Sequence, residues 1–115
     1  MELVVAFNYG ARQELTAAVK KLCEKVARGE IEPSAITEAH ISAELDTAGL
    51  PDPDLIVRTS GELRLSNFLL WQAAYTEFYF SDLMWPDFDE AALDQALECF
   101  GNRDRRYGGV TAQAL

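Results

Sequence analysis

Apolar residues fall along the chain in two patterns, short continuous runs and longer stretches at helical spacing. Leu3-Val4-Val5-Ala6-Phe7 is continuous, which predicts a strand covered on both faces, as in a parallel sheet. The period then changes. Leu15, Ala18, Val19, Leu22, Cys23 and Val26 recur every three or four residues, and Gly29 after Arg28 supplies a stop, so a helix is predicted. A weaker stripe of Ile36, Ala39, Ile41 and Leu45 after Pro33-Ser34 predicts a second helical piece around 37–45. Pro51-Asp52-Pro53-Asp54 ends any helix, and Leu55-Ile56-Val57 reads as another buried strand. Beyond a polar loop at 59–64, residues 67–75 read as helix and Glu77-Phe78-Tyr79-Phe80 as a third strand. Trp85-Pro86-Asp87-Phe88 reads as a turn. From Asp89 the spacing of Leu93, Ala96, Leu97 and Phe100 predicts a last helix, with Asp89 and Glu90 in its first turn where the dipole favours them. Strand, helix and strand in that order predict an α/β fold with a right-handed parallel crossover. Three strands are few for a parallel sheet, and the first has no upstream partner. No linker, repeat or low-complexity tract divides the chain, so residues 1–115 read as one incomplete α/β domain.

The 115 residues are 49% hydrophobic and 25% charged, which excludes a disordered acidic tail. Nineteen acids against ten bases leave a net charge of -9, so an extended nucleic-acid surface is excluded and only a local basic pocket remains. Cys23 and Cys99 lack metal-ligand or paired spacing, and both read as reduced thiols. No apolar run approaches the roughly 20 residues that cross a bilayer, and Met1-Glu2 lacks the basic start of a secretory signal. The sequence thus predicts a soluble, cytosolic chain.

The stretch with most chemistry is Arg58-Thr59-Ser60-Gly61-Glu62-Leu63-Arg64-Leu65-Ser66-Asn67. It follows a predicted parallel strand and precedes a predicted helix, the place where open α/β sheets hold their ligands. Two guanidinium forks, several hydroxyls, a glycine and the donors of a helix start are parts for binding an anion such as a diphosphate. The plainer alternative is that Arg58 and Arg64 pair with Glu62 or Asp54 and only tie down a loop. Glu77, at the start of the aromatic strand, is a candidate ligand for Mg²⁺, against the alternative of a solvated strand end. Arg105-Arg106-Tyr107-Gly108-Gly109 is either an anion clamp or a solvated tail. Asn8-Tyr9-Gly10 either lines a site or simply turns the chain. His40 reads as a surface residue and the aromatic side chains as core or interface. No G-x-S-x-G, P-loop or G-x-G-x-x-G is present.

The run from Pro51 to Glu62, with Arg64-Leu65-Ser66-Asn67-Phe68-Leu69-Leu70-Trp71-Gln72, closely resembles the C-terminal signature of the cis-prenyltransferases, a family typified by undecaprenyl diphosphate synthase. The resemblance continues through Tyr75-Thr76-Glu77-Phe78-Tyr79-Phe80, Leu83-Met84-Trp85-Pro86-Asp87-Phe88 and Arg105-Arg106-Tyr107-Gly108-Gly109. Ala6-Phe7-Asn8-Tyr9-Gly10-Ala11-Arg12 resembles the family's strand-to-helix motif, with Ala11 where a second glycine is usual. The resemblance implies a parallel sheet flanked by helices, of which this chain is the C-terminal half, a homodimer, and Mg²⁺-assisted condensation of isopentenyl diphosphate onto an allylic diphosphate such as farnesyl diphosphate. It implies that Arg58, Arg64 and Ser66 hold isopentenyl diphosphate, that Arg106 and Gly108 reach a diphosphate, and that Glu77 ligates Mg²⁺. It implies a polyprenyl product handed to the membrane, with the enzyme cytoplasmic or peripheral to it. The family's Asp-Gly-Asn-x-Arg motif, which carries the essential aspartate, occurs nowhere in the chain. No catalytic residue is therefore expected here, and the isolated chain is expected to be inactive. The alternatives are a non-catalytic partner subunit and a diphosphate-binding half-domain.

Overall fold

The computed structural model describes residues 2–102. They form α1 (Ala11–Ala27), α2 (Glu38–Ser42), β1 (Leu55–Arg58), β2 (Glu77–Phe80) and α3 (Glu90–Gly101), with single 3-10 turns at Pro33–Ala35 and Trp85–Asp87. The described residues fall into two compact units, one made of 2–52 and 65–74, the other of 53–64 and 75–102.

In the first unit α1 turns Ala11, Glu14, Ala18 and Leu22 inward, one residue from each successive turn, and packs on α2. The buried face is narrower than the predicted stripe: Leu15 and Val26 are half-buried, and Val19 and Cys23 face out. The predicted stop is real. Gly29, at φ 72°, donates to the Val26 carbonyl (2.9 Å), and Glu30 donates to that of Lys25 (3.0 Å), the paired closure that needs a left-handed residue after the helix. The second helix is shorter than 37–45. It covers five residues, opened by Thr37, whose amide donates to Nδ1 of exposed His40 (3.1 Å).

Two sequence expectations fail in this unit. Residues 3–7 form no strand and are unpaired, with Leu3 82% and Phe7 91% exposed. A strand exists only as part of a ladder, and no described segment offers these amides and carbonyls a partner. Nor is 67–75 a helix. Ser66, Asn67 and Leu69 have φ of 51°, 64° and 47°, left-handed values that no right-handed helix accommodates, and the segment runs as consecutive turns.

In the second unit β1 and β2 pair in parallel, with Leu55 opposite Glu77 and Arg58 opposite Phe80. Thr76 Oγ1 donates to the Pro53 carbonyl (2.7 Å) and the Glu77 amide to that of Asp54 (3.1 Å), which sets the register before the strands begin. Among the described residues the sheet has two strands, not three, and its residues are half-buried, with Phe80 exposed, rather than covered on both faces. Helix α3 packs against β2, buries Ala92 and Ala96 and leaves Leu93 and Leu97 exposed. Asp89 caps that helix, accepting from the Ala92 amide (3.0 Å). No large side chain is fully buried among the described residues, and apolar surface is abundant outside the small core.

Candidate functional site

The chain leaves β1 at Arg58 and enters a tight turn, Thr59 to Glu62, closed by the Glu62 amide on the Thr59 carbonyl (3.4 Å). Both central residues are left-handed, Ser60 at 65° and Gly61 at 66°, so Gly61 is needed for its backbone freedom. The turn is fastened to the segment after β2. Ser60 donates to the Leu83 carbonyl (2.8 Å), Gly61 to that of Ser81 (3.0 Å), and the Ser81 amide donates back to Arg58 (2.8 Å). The Ser60 and Gly61 amides are thus committed to the fold, and the helix start expected after Ser66 does not exist.

Of the two arginines, Arg64 follows the plainer alternative. Its exposed guanidinium is ion-paired with Glu62. Arg58 does not. It is half-buried at the carboxyl end of a parallel strand and has no ion pair among the described residues. Glu77 is half-buried at the other end of the sheet. Three residues of register separate it from the level of Arg58, roughly 10 Å along the strands. No group of three His, Cys, Asp or Glu side chains that could hold a metal ion occurs among the described residues, so Glu77 is not part of such a cluster there. Ser66 belongs to the first unit, exposed, at left-handed φ. Arg106 and Gly108 lie outside the described residues.

The first unit holds a polar cluster that the pattern of hydrophobic residues concealed. Glu14 is 5% exposed and Gln72 3%. The carboxylate of Glu14 accepts from the Tyr9 hydroxyl, from the Asp46 amide (2.8 Å) and from Gln72 Nε2, which lies 3.3 Å from each of its oxygens. Gln72 Nε2 also reaches Thr47 Oγ1 (2.8 Å). Burial, reinforced by the hydrogen bond to Glu14 and by its negative charge, pushes the Tyr9 hydroxyl up to about 12. The sequence carried one sign of this cluster: Glu14 and Gln72 interrupt otherwise apolar faces. Asn67 was legible only as part of the arginine block, yet it engages the start of α1. Its carbonyl accepts from Ala11 (2.8 Å), its Oδ1 from the Arg12 amide (2.9 Å), and its Nδ2 donates to Gln13 Oε1 (2.9 Å).

A cavity of about 140 Å³ in the same unit is lined by residues including Ser42, Thr47, Asp52, Trp71 and Gln72. None of its lining side chains is cationic. No helix among the described residues is long and apolar enough to cross a membrane.

Comparison with known proteins agrees with the resemblance. The prenyltransferase family model, described as "Putative undecaprenyl diphosphate synthase", matches residues 1–108. An isoprenyl transferase of Brucella abortus is 60% identical over 114 residues, covering 99% of this chain and 45% of that protein. One from Geobacillus kaustophilus is 56% identical over 108 residues, covering 94% and 42%. Among solved structures, lavandulyl diphosphate synthase from Lavandula x intermedia, crystallised with dimethylallyl diphosphate, superposes with a TM-score of 0.84 at 44% identity, over 87% of this chain and 43% of that one. A probable undecaprenyl diphosphate synthase from Campylobacter jejuni gives 0.74 at 38% identity, over 90% and 45%. The chain spans somewhat less than half the length of these relatives. It belongs to the undecaprenyl diphosphate synthase family of cis-prenyltransferases, and its α/β structure is a portion of that fold.

Proposed function

We propose that this chain carries the isopentenyl diphosphate side of a cis-prenyltransferase site. The observation that supports it best is Arg58. A half-buried guanidinium with no ion pair among the described residues is costly unless an anion neutralises it, and this one stands at the carboxyl end of a parallel strand. In this reading Arg58 binds the diphosphate with its planar fork, and Arg64 exchanges Glu62 for a phosphate oxygen. Ser66 adds a neutral donor, and Arg106 and Gly108 of the tail reach a diphosphate.

Isopentenyl diphosphate keeps its diphosphate during condensation, so permanent cationic clamps suit it. The allylic partner, such as farnesyl diphosphate, loses its own. The crystallised lavender relative, with an allylic diphosphate bound, supports a substrate of that class. Glu77 is a hard oxygen donor of the kind Mg²⁺ accepts alongside water and phosphate oxygens, and would be one ligand of such an ion. When bound, the ion offsets the charge that develops on the departing diphosphate. The reading extends to a homodimer, to a cytoplasmic or membrane-peripheral enzyme, and to a polyprenyl diphosphate product. With no Asp-Gly-Asn-x-Arg motif in its sequence, the chain alone is read as inactive.

The test is condensation of radiolabelled isopentenyl diphosphate with farnesyl diphosphate and Mg²⁺. The 115-residue chain is expected to retain isopentenyl diphosphate in equilibrium dialysis and to make no polyprenyl product. Product formation would refute the inactivity of the chain alone. Failure to retain isopentenyl diphosphate would refute the binding role.

A further inference from the structure

Ser66 and Asn67 occupy backbone conformations that cost energy in non-glycine residues, and such strain persists only where the surroundings over-determine it. Here the determinant is visible. Helix α1 begins at Gly10, which has no side chain to cap it, and its first two amides, Ala11 and Arg12, are satisfied instead by the carbonyl and Oδ1 of Asn67, more than fifty residues away. Nδ2 of the same side chain holds Gln13. A Cβ on Gly10 would stand 2.4 Å from Gln13 Oε1 and 2.8 Å from Asn67 Nδ2, so the turn sits where only glycine leaves room. The next residue, Phe68, packs edge-on against Tyr9 with ring centroids 5.8 Å apart. Ser66 is adjacent to all of this and is the one member left uncommitted. It is exposed, and its hydroxyl has no partner among the described residues.

From this arrangement we infer that Asn67 is a positioning residue for diphosphate binding: by capping α1 from a distant turn, it fixes Ser66 in the left-handed conformation that presents its hydroxyl to isopentenyl diphosphate. The inference rests on the proposed role of Ser66 and adds what holds that residue in place. Asn67 itself need not touch the ligand. Both of its side-chain polar atoms are used by the helix, and its carbonyl is used as well.

The experiment is calorimetric titration of the full chain with isopentenyl diphosphate, using Asn67→Gly, Ser66→Ala and the double variant. Glycine keeps the left-handed backbone and removes only the clamp. Asn67→Gly is expected to weaken binding roughly tenfold, the worth of one hydrogen bond to a charged group, and Ser66→Ala by a similar factor. If Asn67 acts through Ser66, the double variant binds no more weakly than Ser66→Ala alone. In nuclear magnetic resonance spectra the ligand-induced shift of the Ser66 amide disappears in Asn67→Gly, while that of Arg58 persists. Unchanged affinity in Asn67→Gly, or losses that multiply in the double variant, would overturn the positioning role and leave the proposed function intact. An unchanged Ser66→Ala would instead overturn the assignment of Ser66 and bring this inference down with it. Absence of any binding by the unaltered chain would overturn the proposed function itself. Should Asn67→Gly fail to fold, Gln13→Ala removes the exposed partner of Nδ2, and affinity is expected to fall about threefold; no change there would equally refute the clamp.

Discussion

The buried carboxylate of Glu14 gives the sharpest prediction about stability. Replacing it with alanine deprives three donors of one acceptor: the Tyr9 hydroxyl, the Asp46 amide and Gln72 Nε2. They do not suffer equally. Asp46 lies at the surface, where water replaces the lost oxygen, while Gln72 is 3% exposed and retains Thr47 Oγ1. Hydrogen bonds to a charged group contribute about 1.5–3 kcal/mol each. Counting Tyr9 and Gln72 in full and Asp46 as rehydrated, Glu14→Ala should cost about 3–6 kcal/mol. That is a large part of the roughly 5–15 kcal/mol that holds a typical domain together. Glu14→Gln keeps the shape and one acceptor oxygen but turns an amino group toward at least one donor, and should cost about half as much. The assay is urea denaturation followed by circular dichroism, comparing midpoints at constant slope. A loss below about 1 kcal/mol in Glu14→Ala would refute the reasoning, since it would mean that these donors find water without Glu14.

Three further outcomes follow from the same contacts. Because Tyr9 in the folded chain is pushed up to about 12 from an ordinary value of 10.0, the stability it contributes is complete below pH 10 and is lost as pH rises toward 12. Ultraviolet titration of the tyrosinates should show one late component that Tyr9→Phe removes. Glu44, held below the usual carboxylate range by its hydrogen bond to Lys25 and by the charges of Lys25 and Lys21, stabilises the fold above its unfolded value and loses that contribution as pH falls. Lys25→Ala should move its titration, followed by carbon-detected magnetic resonance, toward the ordinary value. Gly61→Ala meets only Asp82 Oδ1, at 3.4 Å, but must hold φ at 66° and should lose about 1–2 kcal/mol in the same urea assay.

Periodicity located α1 and α3, with the end of the first and the start of the second, because those signals are local: Gly29 can take the left-handed angle that ends one, and Asp89 offers the oxygen that starts the other. The strand 55–58 and its parallel partner 77–80 were legible for the same reason, as short aromatic and β-branched runs between breakers. Where pairing decides the outcome, local pattern failed. Leu3 to Phe7 has the composition of a buried strand, yet a strand is made by its neighbour, and none of the described residues provides one. The segment 67–75 has helical composition, but Asn67 is spent on another helix, and Asn67 and Leu69 are left-handed. The arginine block was visible as chemistry in the sequence. That Arg64 is paired with Glu62 while Arg58 has no ion pair among the described residues is shown only by the folded chain.

The central claim is that Arg58 awaits a diphosphate, and calorimetric titration of isopentenyl diphosphate into the chain and into Arg58→Ala addresses it most directly. Binding by the chain, weakened between about tenfold and a hundredfold by the substitution, is the expected result for loss of a charge-assisted fork. Equal affinity in both would contradict the claim and return Arg58 to the role of a loop residue.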